Sequence, residues 1–246
     1  MLKKIVPKCY DLFCGLGGFS EGFLAEGYEC IGFDIEAHDY GIGGYPGTLI
    51  LRDVRSIHGS ELADATVIVA SPPCQAYSYW AMPWKKAKAL GPPDNTLFNE
   101  CFRIQREAIA AAGHHIPMIV ENVRGAQKWV GRAQYHYGSF YLWGDVPALM
   151  PMTAPKTVKC GHLERSYRNG HVSTAHLTNP GEYKVPASVA ATGTKQGGDW
   201  WDAECRKTSS AQYGSKSSKR KAASAMIAKI PEPLSRWIAQ AYKPVY

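Results

Sequence analysis

Several absences narrow this sequence first. It has no Cys-x-x-Cys, and its seven cysteines (Cys9, Cys14, Cys30, Cys74, Cys101, Cys160 and Cys205) are odd in number and irregularly spaced. That argues against a disulfide framework and for reduced thiols. Cys160, His162, His171, His176 and Cys205 match no common zinc spacing, so no metal is expected. No apolar run is long enough to span a membrane. Met1 to Pro7 starts like a signal peptide, yet no apolar h-region or small-residue cleavage site follows. We therefore expect a cytoplasmic protein with no membrane partner. There are no internal repeats, which leaves out repeat architectures.

What is present is an ordinary globular composition, 45% apolar and 20% charged over 246 residues. The length allows one large domain, or one domain with a small appendage. Twenty-eight basic residues against 21 acidic ones leave a net charge of +7, which points weakly to a polyanionic partner.

The most informative stretch is Ser71-Pro72-Pro73-Cys74-Gln75. It follows Ala65 to Ala70, a short apolar, β-branched run that reads as a buried strand. A cysteine beside a rigid turn at a strand's carboxyl end lies where open α/β sheets place their active sites. Alone, such a cysteine reads more readily as a small core residue. Two other stretches change that balance: Asp11 to Ser20 upstream, and Val120-Glu121-Asn122-Val123 downstream.

Taken in order, residues 5–12 read as a first strand, with pairing beginning after Pro7. A glycine turn at 15–18 follows, then a helix from Phe19 to Glu26 ending at Gly27, then a strand from Tyr28 to Phe33 ending at Asp34. This order resembles a dinucleotide-type βαβ start, in which glycines admit a ligand close to the backbone and the acid meets ribose hydroxyls. Gly41 to Gly47 reads as a glycine-rich loop, and Leu49 to Val54 as a short third strand carrying a second acid, Asp53. Residues 76–96 form a long connection with Trp80, Trp84, Lys85, Lys86 and Lys88, which suits bases and phosphates or simply solvent. The spacing over 97–112 predicts a helix with one buried face. Strands are expected at 117–120, delivering Glu121, and at 139–143, with a closing helix from Pro233 to Ala241. From Pro155 to Lys221 the chain is rich in Gly, Ser, Thr, Lys and His with little periodicity, and ends in a basic run, Lys216 to Lys221.

A cysteine, a glutamate and a glycine-rich nucleotide loop can together alkylate a pyrimidine. Carbon 5 of cytosine is a poor nucleophile, but a thiolate adding to carbon 6 makes it enamine-like. A carboxyl group at ring N3 eases that addition.

The chain resembles the DNA (cytosine-5)-methyltransferases. Asp11-Leu12-Phe13-Cys14-Gly15-Leu16-Gly17-Gly18 is similar to their first cofactor motif, Pro72-Pro73-Cys74-Gln75 to their nucleophile motif, and Glu121-Asn122-Val123 to their acid motif. Asp34-Ile35 matches the ribose and adenine contacts, Asp53-Val54 a second adenine contact, and Asn95-Thr96-Leu97-Phe98 a further cofactor contact. The matches run in family order over roughly the first 145 residues.

The resemblance implies an α/β, Rossmann-like S-adenosylmethionine-dependent fold with a small loop-rich target-recognition insert. Its catalytic part would be 1–146 and 222–246, and its recognition region 147–221. It implies a methyl group moved to carbon 5 of a flipped-out cytosine in double-stranded DNA by a monomer. Cys74 would be the nucleophile and Glu121 the N3 partner, with Asn122 ordering the turn. Asp11, Phe13, Gly15, Leu16, Gly17, Gly18, Asp34, Ile35, Asp53, Val54, Pro72 and Leu97 would hold the cofactor.

Three departures stand out. Tyr135 to Ser139 replaces the family's Gln-x-Arg-x-Arg, leaving Arg132 upstream as a substitute contact or a surface residue. Ile227 to Pro231 replaces Gly-Asn-(Ala/Ser)-Val-Pro and puts Lys229 at or beside the asparagine. Lys229 would point to solvent, pair with the donor's carboxylate, or accept a carboxylated donor and so yield a carboxymethylated base. The recognition region is short and so resembles bacteriophage-encoded members, and the family resemblance implies a restriction-modification setting. Methylation of RNA on the same chemistry, and a catalytically silent DNA-binding relative, remain open alternatives.

Overall fold

The computed structural model describes residues 6–40, 43–78, 91–150, 164–168, 171–175, 221, 225 and 228–244. The expected base-stacking loop residues at 79–90, most of the basic run, the cysteines and histidines considered for zinc (save the backbone of His171) and much of the expected recognition region lie outside these.

Seven strands form one sheet: β1 (Lys8–Leu12), β2 (Glu29–Asp34), β3 (Thr48–Leu51), β4 (Val67–Ala70), β5 (Met118–Asn122), β6 (Tyr135–Tyr137) and β7 (Phe140–Gly144). Their order is β3-β2-β1-β4-β5-β7-β6. The first five run parallel, while β7 is antiparallel to both β5 and β6. The chain builds outward from β1 to β3, then crosses back to place β4 on the other side of β1. This reversal opens a crevice at the carboxyl ends of β1 and β4, where open α/β sheets bind ligands. A separate two-stranded hairpin pairs β8 (Glu164–Arg168) with β9 (His171–Ala175).

The central strands are apolar on both faces because both are covered. In β4, Ile68 and Ala70 join one core cluster while Val67 and Val69 join the other. The first cluster packs under α2 (Thr96–Ala112) through Phe98, Cys101, Ile104 and Ala108. The second lies under α1 (Gly18–Ala25) and α4 (Glu232–Ala241), through Phe19, Phe23, Leu234 and Ile238. α1 and α4 approach so closely that a Cβ at Gly22 would run into the backbone of Ser235 and Arg236. Glu26 clasps the same contact from α1, with Arg236 Nε at 2.7 Å and Gln240 Nε2 at 2.9 Å. The chain's last helix is thereby fixed beside its first.

The structure departs from the sequence reading in three places. β3 stops at Leu51, so Asp53 lies beyond the strand and caps a short turn, accepting from Arg55 N. β5 runs on through Glu121 and Asn122, held by antiparallel pairing with Leu142 and Tyr141 of β7. The stretch that stands in for the arginine motif is itself a strand, β6. It pairs with β7 across a two-residue Gly138-Ser139 turn, with Gly138 at φ 58° as such a turn requires. A short helix, α3 (Gln127–Val130), precedes it.

Candidate active site

β1 delivers the glycine loop. Phe13 and Gly15 adopt positive φ (58° and 51°), and Gly17 at 73° starts α1. Gly17 and Gly18 must be glycine on space as well. A Cβ on Gly17 would strike Pro46, and one on Gly18 would strike the backbone of Ile230. Gly15 N donates to Asp34 Oδ2 at 2.9 Å, so the loop is tied to the acid at the end of β2.

Odd and even positions of β1 face opposite sides of the sheet. Asp11 therefore points to the α1 face, where it is 1% exposed. It accepts from the Ser20 hydroxyl at 2.7 Å, and the Tyr45 hydroxyl lies 2.6 Å from the same Ser20 oxygen. Burial pushes the Asp11 carboxyl up to about 8, although the Ser20 bond lowers it.

β4 and β5 supply the other wall. Ser71 to Cys74 leaves β4, and Cys74 is partly exposed. Glu121 is 3% exposed and Asn122 fully buried. Asn122 Nδ2 donates to the Pro72 carbonyl at 3.0 Å, and its Oδ1 accepts from Val123 N at 2.8 Å. The nucleophile-type turn and the acid-bearing strand are thus bolted together one residue from Glu121 and two from Cys74.

These pieces enclose a single cleft of about 730 Å³. Fourteen of the residues expected from sequence line it: Asp11, Phe13, Gly15, Leu16, Gly18, Asp34, Ile35, Asp53, Val54, Pro72, Cys74, Leu97, Glu121 and Lys229. Gly17 sits beneath the loop, and Asn122 acts from behind the wall. Arg132 is not brought in: it is exposed after α3 and does not line the cleft. The loop it belongs to leads into β6, on the far edge of the sheet.

Lys229 does line the cleft, but its ammonium pairs with Glu21 of α1 at 2.5 Å, and the side chain is only 15% exposed. Its charge is already balanced, which removes the electrostatic motive for a donor with an extra carboxylate.

Ser71, at the head of the Pro-Pro-Cys stretch, has a buried hydroxyl with no hydrogen-bond partner. Other lining residues carried no sequence signal. His38 lies against Asp34 and Tyr40 against His38, and Arg55 engages both oxygens of Asp53. These contacts arise from turn geometry that a pattern of residue types does not encode.

A family model for C-5 cytosine-specific DNA methylase matches residues 7–130, which carry the glycine loop, the Pro-Pro-Cys turn and the Glu-Asn strand. The chain belongs to this family.

No curated protein matches the chain. Solved structures similar to it include DNMT2 of Spodoptera frugiperda (16% identity, 50% of this chain and 38% of that one, TM-score 0.35). Others are the Dnmt2 methyltransferase of S. pombe (13%, 52% and 37%, 0.36) and EhMeth of Entamoeba histolytica (15%, 52% and 41%, 0.35). This methylase thus spans well under half the length of those chains.

S-adenosyl-L-methionine is the cofactor of this family. The cleft fits it: the unpartnered Ser71 hydroxyl, the buried Asp11 carboxyl and the left-handed glycine loop are features a polar, partly cationic ligand would satisfy. Among the described residues, no His, Cys, Asp and Glu cluster suits a metal ion, and no helix is long and apolar enough to cross a membrane.

Proposed function

We propose that the protein methylates carbon 5 of cytosine in double-stranded DNA through a covalent bond between Cys74 and carbon 6. The observation that carries this reading is the Asn122–Pro72 hydrogen bond, which holds Cys74 and Glu121 on one wall of the same cleft as the glycine loop.

S-adenosylmethionine supplies an electrophilic methyl group. The chain's residues do the rest. Asp34 would accept from the ribose hydroxyls, Phe13, Ile35 and Asp53 would hold the adenine, and Asp11 and Ser71 would serve the amino-acid end; all six line the cleft. The Cys74 thiolate adds to carbon 6 of a base turned out of the duplex, and electron density rises at carbon 5. Glu121 shares or gives a proton at N3 as that addition proceeds. Carbon 5 takes the methyl group, and the sulfonium's electrons return to its sulfur, which leaves as a neutral thioether. Carbon 5 then gives its proton to water, the ring double bond re-forms, the Cys74 thiolate is expelled and Glu121 takes back the N3 proton. The Lys229–Glu21 ion pair balances the lysine's charge within the protein, which favours methyl over carboxymethyl as the transferred group. Residues 147–221 are assigned to target recognition, and the β8–β9 hairpin lies among them.

The test is transfer of labelled methyl to duplex DNA and to folded RNA in parallel, followed by mass analysis of the nucleoside. Transfer to RNA alone would overturn the DNA assignment, and a carboxymethylated product the donor assignment. A covalent complex with duplex DNA containing 5-fluorocytosine tests the Cys74 adduct, since the fluorine cannot leave as a proton does.

A further inference from the structure

Among the described residues, two other than glycine hold a left-handed backbone: Phe13 at φ 58° and His38 at φ 51°. Both line the cleft. For residues with a full side chain this region is sterically unfavourable, and such strain persists where the surroundings demand it. Phe13 belongs to the cofactor loop. His38 has no role in the reading above.

The His38 ring is held at both nitrogens. Nε2 stands 3.1 Å from Asp34 Oδ1, and Nδ1 stands 2.8 Å from the Tyr40 hydroxyl. An ionised carboxylate only accepts, so Nε2 carries the proton in this pair. In the neutral ring Nδ1 is then the acceptor and Tyr40 the donor. Asp34 Oδ1 also accepts from Glu36 N at 3.2 Å, and Oδ2 accepts from Gly15 N at 2.9 Å. The Asp34 side chain is 11% exposed and that of His38 is 23%. Three donors from two separate turns therefore fix one carboxylate on the cleft wall. Two of them are backbone amides, present with any side chain at 38. The third exists only because a histidine occupies a strained position.

We propose that His38, backed by Tyr40, is a positioning residue for the nucleoside end of the ligand: it locks the Asp34 carboxylate in the orientation that accepts a ribose cis-diol. This rests on the reading of Asp34 as the ribose acceptor. An aspartate carboxylate rotates broadly about its last torsion, and a donor held in place by the protein removes that freedom before the ligand arrives. The array also accounts for the strain. Glycine or asparagine would occupy φ 51° at less cost, but glycine supplies no donor and asparagine a shorter one.

The test measures affinity for S-adenosylhomocysteine and for its analogue lacking both ribose hydroxyls. His38→Gly relieves the backbone and removes the ring. It is expected to melt no lower than the parent, to bind S-adenosylhomocysteine about tenfold more weakly, and to bind the deoxygenated analogue unchanged, in keeping with loss of a charge-assisted contact. The preference for the ribose form then falls about tenfold. A preference equal to the parent's overturns the inference, even if both ligands bind more weakly, since that marks a change of shape alone. His38→Asn tolerates the same φ and keeps a donor. It is expected to retain part of the preference, and it decides the question if the glycine variant does not fold. Asp34→Ala is measured alongside. If Asp34→Ala keeps the parent's preference, the ribose reading of Asp34 fails. If it abolishes the preference while the His38 variants keep it, only the role of His38 fails.

Discussion

Asn122 and Pro72 lie fifty residues apart in sequence and are joined by a 3.0 Å hydrogen bond from the Asn122 amide to the Pro72 carbonyl. Proline has no N–H, and the Pro72-Pro73 pair leaves its turn short of donors, so the turn's position depends on what its carbonyls find. Asn122 is fully buried and provides that partner.

Asn122→Ala should therefore strand the Pro72 carbonyl. We expect a loss of about 1–3 kcal/mol in stability, the cost of an unsatisfied buried polar group. Turnover should fall more than cofactor affinity, because the displaced turn carries Cys74. Urea denaturation and single-turnover kinetics measure the two effects, and an unchanged turnover in a destabilised protein would confine Asn122 to a structural role.

Cys74→Ser should abolish methyl transfer and trapping by 5-fluorocytosine DNA, while affinity for S-adenosylhomocysteine stays near the parent's. A hydroxyl is much harder to ionise than a thiol at neutral pH. Substantial residual turnover would place the nucleophile elsewhere.

Glu121→Gln should lower the rate about 10²–10⁴-fold, the range for losing acid–base help. The amide keeps the size of the 3%-exposed side chain, so the melting temperature should move little. A near-parental rate would assign the N3 contact to another group.

Asp11 makes stability depend on pH. Its carboxyl is raised by burial from an unfolded value of 3.8 to about 8, so between those values the folded chain holds a proton that the unfolded chain releases. Its contribution to stability is thus full below about 4, falls as pH rises through the window to about 8, and levels off above it. Asp11→Asn should remove that slope, leaving the ligand-free protein more stable than the parent at pH 9. Urea midpoints at pH 5, 7 and 9 test this; parallel curves for parent and variant would contradict it.

Gly22→Ala should destabilise the fold although alanine is the better helix former. Propensity favours alanine by about 1 kcal/mol, but the new methyl meets backbone at Ser235 and Arg236, and overpacking costs typically about 1–3 kcal/mol or more. A higher melting temperature for the variant would show that α1 and α4 can separate cheaply.

The sequence by itself determined the order of strands and helices through β5, the glycine loop and the two acids after β2 and β3. Each is local: β-branched runs, a helical stripe, glycines at a turn and a Pro-Pro-Cys stop can all be read within a few residues. The Gly138-Ser139 turn was not read, since Ser139 was placed in the strand expected at 139–143, and the aromatic run Tyr135 to Tyr137 read as a replaced motif rather than as β6. Tertiary structure alone decided which residues meet. It set Arg132 away from the cleft, because the chain there turns toward the sheet edge. It placed Lys229 on Glu21, which lies 208 residues earlier, because α4 packs on α1. It buried Asp11 against Ser20 and Tyr45 and set His38 on Asp34. Such contacts depend on the pleat of one strand and the backbone angle of one residue. They are fixed by the packing of the whole sheet, and no window of the sequence contains both partners in their final geometry.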